Sequence, residues 1–355
     1  MKMLFISGRE PEYTRNQVLL KGIKENGVEV IQCTDSSKRY ITRTFKVLLK
    51  FLFTAKKDID VIFVGFLGQH LMPIIRLFSK KPIIFDAFIS TYDTLCFERK
   101  KFNPKSFIGK FFYWLDSYSC KAATKVITDT EQHVEYFVKT FNLDKNKFKG
   151  IFVGADNTMF YPMKQKKNKQ FTVFYYGSFL PLQGIEQVIK AAKILENKGI
   201  KFTVVGDGIE REKIMSLVKR LNVENINFKG WVKYKELPLE IAKGDICLGG
   251  HFSDIEKAKR VIAGKTYQYI AMKKPTIVGD NNANKELFTH KQNVYICSMN
   301  NAFALANAIL TLRNNPKLRE KIAQNGYRLF KEKCTPKILG KEIKEIAKEI
   351  STNKK

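Results

Sequence analysis

Short apolar runs alternate with amphipathic stretches from the first residues of the chain, at the lengths of a strand followed by a helix. Met3–Ser7 (MLFIS) is apolar almost throughout and predicts a buried strand. A helix over Arg15–Glu25 follows, with Thr14 as its cap and Asn26-Gly27 as its stop. Val28–Cys33, Val61–Val64, Pro82–Phe85 and Lys125–Thr128 read as further strands, with helical patterns at Ile41–Lys57 and Leu71–Phe78 between them. Thr128-x-x-Glu131 has the spacing of a capping box and opens a helix running to Phe141. Met163–Gln170 is polar and has neither period, so it reads as a linker. The pattern then restarts, with strands at Thr172–Tyr176, Lys201–Val205, Ile226–Phe228, Ile246–Leu248 and Thr276–Val278. Helices are predicted between them near residues 185–197, 211–221, 234–242 and 257–272, and at the C-terminal end over 302–313, 316–330 and 336–350. Strands alternating with helices build a parallel sheet covered on both faces. The chain therefore reads as two consecutive α/β, Rossmann-like domains, residues 1–163 and 164–335, with helix 336–350 a candidate to pack back onto the first.

A length of 355 residues suits that division, and 44% apolar with 12% aromatic residues is the composition of a folded chain. The six cysteines are scattered with no C-x-x-C pair, so neither a disulfide scaffold nor a zinc or redox couple is signalled. Four histidines without an H-E-x-x-H motif argue against a histidine-rich metal site. No apolar run approaches the roughly 20 residues of a membrane span, and the opening MKMLFISGRE lacks the long apolar core of a secretory signal. A cytoplasmic chain is expected.

Charge changes this picture. Sixty-three basic residues against 34 acidic give +29, and the halves before and after Gln170 carry +14 and +15. Such a field attracts nucleic acid, anionic lipid or nucleotide diphosphates, although lysine also serves simply as a solubilising residue. Nucleic-acid binders gather charge along a groove with stacking aromatics. Here it is spread evenly and no such motif appears, so no nucleic-acid partner is expected. Two stretches stand out, Ile41–Lys57 and Lys100–Trp114 (KKFNPKSFIGKFFYW), where Phe and Leu alternate with Lys and Arg. Each fits either a core-facing helix or one lying on an anionic membrane surface.

Ligands of parallel α/β sheets bind at the carboxyl ends of the strands. The first such loop, Ser7-Gly8-Arg9-Glu10, has a single glycine and so lacks the dinucleotide fingerprint. Gly8 would let an acceptor or phosphate approach the backbone, or would form a plain turn. The second half offers Tyr176-Gly177-Ser178-Phe179, Gln183-Gly184, Gly206-Asp207-Gly208, Gly230-Trp231 and Gly264-Lys265, the last beside Lys257, Lys259 and Arg260. Together they suggest a nucleotide-diphosphate pocket with Arg260 and Lys265 neutralising its charge. Asp86 is a candidate to orient an acceptor hydroxyl or assist a proton transfer, or else a structural cap. Asp93 and His70 are weaker candidates for the same side. Glu286 is positioned to open a helix beside the donor pocket, and Trp231 to stack on a base or pack its loop.

From Phe171 to Phe288 the chain resembles the family 4 glycosyltransferases, of group 1 type and GT-B fold. The resemblance rests on YYGSFLPLQGIEQVIKAAKIL (175–195), FTVVGDG (202–208), INFKGWVKYKELPLEIAKGDICL (226–248) and KAKRVIAGKTYQYIAMKKPTIVGD (257–280). GADNTMFYP (154–162) is similar to that family's inter-domain junction, and FDAFISTYDT (85–94) to a cleft-facing loop in a subset of it. The resemblance implies two Rossmann-like domains with parallel sheets facing a central cleft, the nucleotide sugar on the C-terminal domain and the acceptor on the N-terminal one. It also implies retention of configuration and no obligatory metal or other cofactor. The family's Arg/Lys diphosphate clamp maps onto Ser178 and Gln183, and its two glutamates, eight apart, map onto Arg260 and Gln268. Either the cationic role has moved to Arg260 and Lys265, with the Gln268 amide serving a ribose hydroxyl, or the site has decayed to a binding scaffold.

The reading adopted is an active transferase with Arg260, Lys265 and Asp86 as catalytic residues. Gly177, Ser178, Gln183, Gly206, Asp207, Gly208, Trp231, Gly264, Gln268 and Glu286 would bind the donor, with UDP preferred slightly over GDP. Gly8, Arg9, His70 and Asp93 would face a lipid-linked or cell-envelope saccharide acceptor. The expected location is peripheral, on the inner face of the cell membrane. A polyanion-binding protein, a decayed scaffold subunit and a nucleotide-sugar epimerase are the rival readings.

Overall fold

The inner apolar runs form strands whose side chains are buried on both faces, the edge runs form strands that are partly exposed, and the amphipathic stretches form helices that cover those faces. In the computed structural model, which describes residues 1–54, 56–164 and 168–352, the elements follow one another along the chain. They begin β1 (Lys2–Ile6), α1 (Thr14–Glu25), β2 (Glu29–Cys33), α2 (Tyr40–Phe53), β3 (Val61–Val64), α3 (Met72–Phe78) and β4 (Ile83–Asp86). Next come α4 (Phe107–Ala122), β5 (Lys125–Thr128), α5 (Glu131–Phe141) and β6 (Phe148–Gly150). The second run is β7 (Phe171–Gly177), α6 (Ile185–Ile194), β8 (Ile200–Gly206), α7 (Arg211–Leu221), β9 (Ile226–Phe228), α8 (Leu237–Ala242) and β10 (Ile246–Gly250). It continues α9 (Glu256–Arg260), α10 (Gly264–Ala271), β11 (Thr276–Gly279), α11 (Asn282–Leu287), β12 (Tyr295–Cys297), α12 (Ala302–Asn314) and α13 (Pro316–Lys333), and α14 (Pro336–Thr352) follows.

Among the described residues these strands make two six-stranded parallel sheets, ordered β2-β1-β3-β4-β5-β6 and β9-β8-β7-β10-β11-β12. The chain divides accordingly into two units, Met1–Gly154 with the segment from Cys334 onward, and Ala155–Lys333. Residues 155–163, which the sequence pattern groups with the first domain, sit with the second unit, where Phe160 is buried and its ring packs 5.7 Å from that of Tyr234.

In unit 1 successive residues of β1 serve different layers. Leu4 and Ile6 pack under α2, α3 and α5, whereas Met3 and Phe5 pack under α1 and α14. α14 joins unit 1 through a glycine contact: a Cβ on Gly22 would lie 1.9 Å from the Pro336 carbonyl oxygen, and one on Gly340 2.0 Å from the Gly22 carbonyl carbon. Only side-chain-free backbones approach so closely. Leu339, Ile343 and Ile346 then complete the layer.

Several local expectations are corrected. Helix α5 is capped by Thr130, whose Oγ1 accepts from the His133 N–H at 3.1 Å; Thr128 still belongs to β5, and its hydroxyl donates to the Thr130 carbonyl. Thr14 is already helical, and Tyr13 precedes it without a side-chain cap. The helix expected over 41–57 ends at Phe53, with Thr54 extended; Ala55 lies outside the described residues, as do 165–167 of the linker. The helix expected over 257–272 is two, because Val261 and Ala263 are extended and the short connection buries Ile262 and Ala263. Helix α4, of which the sequence showed only a basic aromatic stretch, is capped by Ser106, which accepts from the Gly109 N–H at 3.1 Å.

Candidate functional site

The order of the second sheet is that of a doubly wound fold whose direction reverses between β7 and β10, and the carboxyl ends of such a pair form a ligand crevice. Four glycines shape the backbone there. A Cβ on Gly177 would meet Gln183 Oε1 at 2.3 Å, and one on Gly206 would meet the Gly177 carbonyl oxygen at 1.9 Å. A Cβ on Gly208 would meet the Ser178 carbonyl oxygen at 1.8 Å. Gly184 has a φ of 64° and would clash with the Ser253 amide nitrogen at 2.4 Å. The ends of β7 and β8 and the turn before α6 are thus drawn together by the absence of side chains.

Into this frame α10 delivers Lys265 from its first turn. The ammonium lies 3.9 Å from the centroid of the Tyr175 ring, is buried, and has no hydrogen-bond partner. Burial pulls its pKa down from 10.5 to about 7, as expected when a cation leaves water without a counter-charge. The Tyr175 hydroxyl donates to Gln183 Oε1 at 3.0 Å. His251, the residue after β10, is also buried; desolvation, reinforced by the Lys265 and Lys257 cations, holds its pKa at about 3. One turn along α10, the Gln268 amide is gripped at both ends: its Oε1 accepts from the Tyr176 hydroxyl and its Nε2 donates to the Tyr234 hydroxyl at 3.0 Å. Chemically this is an electropositive cluster flanked by tyrosines, in which a buried cation is held without a counter-charge.

Of the donor-side candidates, the structure gathers Gly177, Ser178, Gln183, Gly206, Gly208, Lys265 and Gln268. Asp207 faces Arg211 at 3.4 Å, and its Oδ1 accepts from the Gly208 N–H at 2.7 Å, which fixes the loop after β8. Arg260 is half-buried at the last residue of α9, and Gly264, across the break, has open space where a Cβ would sit. Trp231 lies on the loop after β9 and is 65% exposed; Glu286 does not open α11 but stands half-buried in its last turn, the helix being capped by Asn281, which accepts from the Asn284 N–H at 2.6 Å. Sequence reasoning missed Tyr175, Tyr234 and His251, and read Tyr176 only as the end of a strand, since a tyrosine or histidine in such a place carries the same signature as core.

In unit 1 the sheet reverses direction between β1 and β3. Gly8 is needed there: a Cβ would lie 2.0 Å from the Leu67 carbonyl oxygen and 2.7 Å from the His70 ring. Both His70 nitrogens are engaged, Nδ1 with the Tyr40 hydroxyl at 2.6 Å and Nε2 with Thr44 Oγ1 at 3.1 Å. Burial, aided by Arg43, lowers the His70 pKa to about 4, so the ring is neutral. Arg9 pairs with Glu10 at 2.9 Å and lies 5.5 Å from the Tyr13 ring centroid.

Asp86 is a core residue here. Its carboxylate takes a bidentate pair from Arg15, Nε to Oδ2 at 3.1 Å and Nη2 to Oδ1 at 3.0 Å, with both side chains fully buried. The same guanidinium donates to the Ile151, Phe152 and Thr128 carbonyls, pinning the ends of β4, β5 and β6. Burial lifts the Asp86 pKa, with Arg15 opposing. Asp93 is buried at the start of a π-helical turn, and its N–H donates to Ser90 Oγ. The side chain that organises this loop is Asp116 of α4, which accepts from the Ser90 and Thr91 hydroxyls and the Tyr92 N–H at 2.7–2.9 Å. Among the described residues no three His, Cys, Asp or Glu side chains gather as a metal site, and no helix is long and apolar enough to cross a membrane.

Residues 160–329 match the model of the family described as glycosyl transferases group 1. A lipopolysaccharide core biosynthesis glycosyltransferase of Rhizobium meliloti, LpsD, is 26% identical over 170 residues, 48% of this chain and 47% of its own length. The chain thus spans about half the length of that relative. Among solved structures, HepE of Anabaena in complex with UDP aligns with 98% of this chain and 100% of its own, at a TM-score of 0.74 and 16% identity. Sucrose-phosphate synthase of Thermosynechococcus elongatus aligns over 99% of both chains, at a TM-score of 0.79 and 14% identity. These likenesses show the fold, two Rossmann-like units of GT-B type.

Proposed function

We propose that this chain, whose residues 160–329 belong to the glycosyl transferases group 1 family, moves a sugar from a nucleoside diphosphate sugar to a lipid-linked or cell-envelope saccharide, with retention of configuration. The observation that carries the reading is Lys265: a buried ammonium with no hydrogen-bond partner, held over Tyr175 at the sheet's point of reversal. An isolated buried cation is unfavourable unless an anion completes it, and a diphosphate supplies that anion. As the anomeric carbon–oxygen bond breaks, negative charge builds on the departing diphosphate. Lys265 and the backbone N–H groups of the glycine turns would stabilise it without reorganising, with Arg260 as a second cation. No metal ion or organic cofactor is invoked. Gln268, fixed by Tyr176 and Tyr234, keeps a free lone pair on Oε1 for a ribose hydroxyl. The UDP bound to HepE supports uridine over guanosine as the base. A cytoplasmic, membrane-peripheral location is proposed from the exposed apolar residues of α2 and α4.

Calorimetric titration with UDP and GDP, alone and with Lys265→Met, tests this. UDP should bind, and the substitution should weaken it at least tenfold while raising the melting temperature by a few degrees, because an unpartnered buried charge is removed. Binding of neither nucleotide, or unchanged affinity in the variant, would overturn the reading. Binding without sugar transfer would favour the decayed scaffold, which the missing clamp at Ser178 and Gln183 allows.

A pH dependence follows. The folded state holds Lys265 at about 7 against an ordinary 10.5, so between those values the unfolded chain binds more protons and stability rises with pH. A bound diphosphate favours the ammonium. UDP binding at pH 8.5 should therefore take up about one proton and should weaken as pH rises above 7. Titrations in buffers of different ionisation heat measure the uptake, and none at pH 8.5 would remove Lys265 from the site.

A further inference from the structure

The outward faces of α2, α3 and α4 carry almost no negative charge. Across the three helices the sequence places a single carboxylate, Asp116, and it is buried and spent on Ser90, Thr91 and Tyr92. Lys46, Lys50, Arg76 and Lys110 are exposed on the helices, with Lys80 and Lys105 exposed beside them. Other helices of unit 1 mix their charges: α5 exposes Glu131 and Glu135, and α14 sets Glu345 and Glu349 among its lysines. The acid-free faces are also apolar. Helix α2 buries Val47 and Phe51 yet carries a second stripe, Ile41, Phe45, Leu49 and Phe53, on its exposed side. A helix apolar on both sides is built to be covered on both. The four most exposed large apolar side chains among the described residues, Ile41, Phe53, Leu77 and Phe107 at 77–87%, all lie on these helices. The helices adjoin, since Tyr40 of α2, Pro73 of α3 and Trp114 of α4 line one groove.

The interleaving of lysine with phenylalanine decides the partner. Protein interfaces are depleted in lysine, and an isologous contact with a second copy would set this cationic face against itself. Nucleic-acid phosphates would meet the lysines and leave Ile41, Phe53 and Leu77 in water. An anionic bilayer meets both needs. Its acyl chains take the apolar side chains, and the lysine stems lie along them with their ammonium groups at the phosphates.

We propose that α2, α3 and α4 together form the docking face for an anionic bilayer, with Ile41, Phe53, Leu77 and Phe107 entering the acyl region and the lysines between them selecting for lipid charge. This rests on the membrane-peripheral reading and adds to it the face and the class of lipid. The face begins at Tyr40, which bonds His70, so a docked chain holds the acceptor-side strand ends of unit 1 beside the headgroups.

The chain contains two tryptophans, and Trp114, on α4, is 49% exposed. Trp231→Phe makes Trp114 the sole reporter and leaves the docking face unaltered. On vesicles of phosphatidylglycerol and phosphatidylcholine in equal parts, brominated on the acyl chains near the glycerol, its fluorescence should fall saturably. A second reporter, Glu345→Trp combined with Trp114→Phe and Trp231→Phe, stands on α14 at the opposite face of the same sheet and should keep its emission. Vesicles of phosphatidylcholine alone should bind about tenfold more weakly or worse, and Lys105→Glu with Lys110→Glu should cost a similar factor on the mixed vesicles. Equal binding of the Trp231→Phe chain to the two kinds of vesicle would overturn the proposal without relying on any change to the face. Binding that leaves Trp114 unquenched, or quenches the α14 reporter as strongly, would sink this face while the membrane reading stands. No binding to either vesicle would sink both. Capture of a single-stranded oligonucleotide that the mixed vesicles cannot displace would assign the face to nucleic acid and overturn the proposal as well.

Discussion

The two helical layers of unit 1 cover the same sheet and have opposite exteriors. Among the described residues, α1 and α14 expose no large apolar side chain, whereas α2, α3 and α4 expose more than a dozen between them, Phe53 and Phe107 at over 85%. Stability does not explain this contrast, because both layers bury a full apolar stripe against the strands. An exposed patch that the core does not need is the mark of a surface that meets something. The α1/α14 layer is built for integrity, with a buried Arg15–Asp86 pair and a glycine-to-glycine helix contact; the α2–α4 layer is built for contact.

Substitutions can break that contrast. The largest effect on stability belongs to the closed layer: Asp86→Ala strands a buried Arg15 guanidinium and should cost about 3–5 kcal/mol in urea unfolding. Should Asp86 act only in catalysis, stability would hardly move. Gly340→Val pushes a Cβ into Gly22 and should cost about 1–3 kcal/mol, with α14 released first, as hydrogen exchange over 336–352 would report. On the open layer, Phe45→Ser with Phe53→Ser should leave stability within about 0.5 kcal/mol. The same pair should lower partition onto phosphatidylglycerol vesicles tenfold or more in sedimentation assays, and salt should reproduce part of that loss. Val47→Ala, buried on the same helix, should invert the pattern, costing about 1–2 kcal/mol and leaving vesicle binding intact.

What was legible in the sequence follows from range. Strand and helix periods are local, so the alternation and the restart after residue 170 could be read directly, and the glycines at strand ends stood out because close backbone approach admits no other residue. The break between α9 and α10 was hidden: Lys257–Met272 carries an uninterrupted helical pattern, and the burial of Ile262 and Ala263 that overrides it comes from the rest of the unit. Arg15 and Asp86 lie 71 positions apart, so nothing local shows that Asp86 is already paired. Lys265 was legible as a cation beside a glycine, while its isolation over Tyr175 and the tyrosine grip on Gln268 exist only once β7 and α10 have met.

The attachment of α14 to unit 1 has a consequence for how the chain is made. Residues 336–352 leave the ribosome only after all of unit 2 has been synthesised, and until then the face of Met3 and Phe5 is covered by α1 alone and the part that α14 closes stays open. At ordinary elongation speeds of about 5–20 residues per second, that interval lasts on the order of ten seconds or more. During it the nascent chain presents an adhesive surface for which chaperones and neighbouring nascent chains compete, so unit 1, first to be translated, is last to be finished.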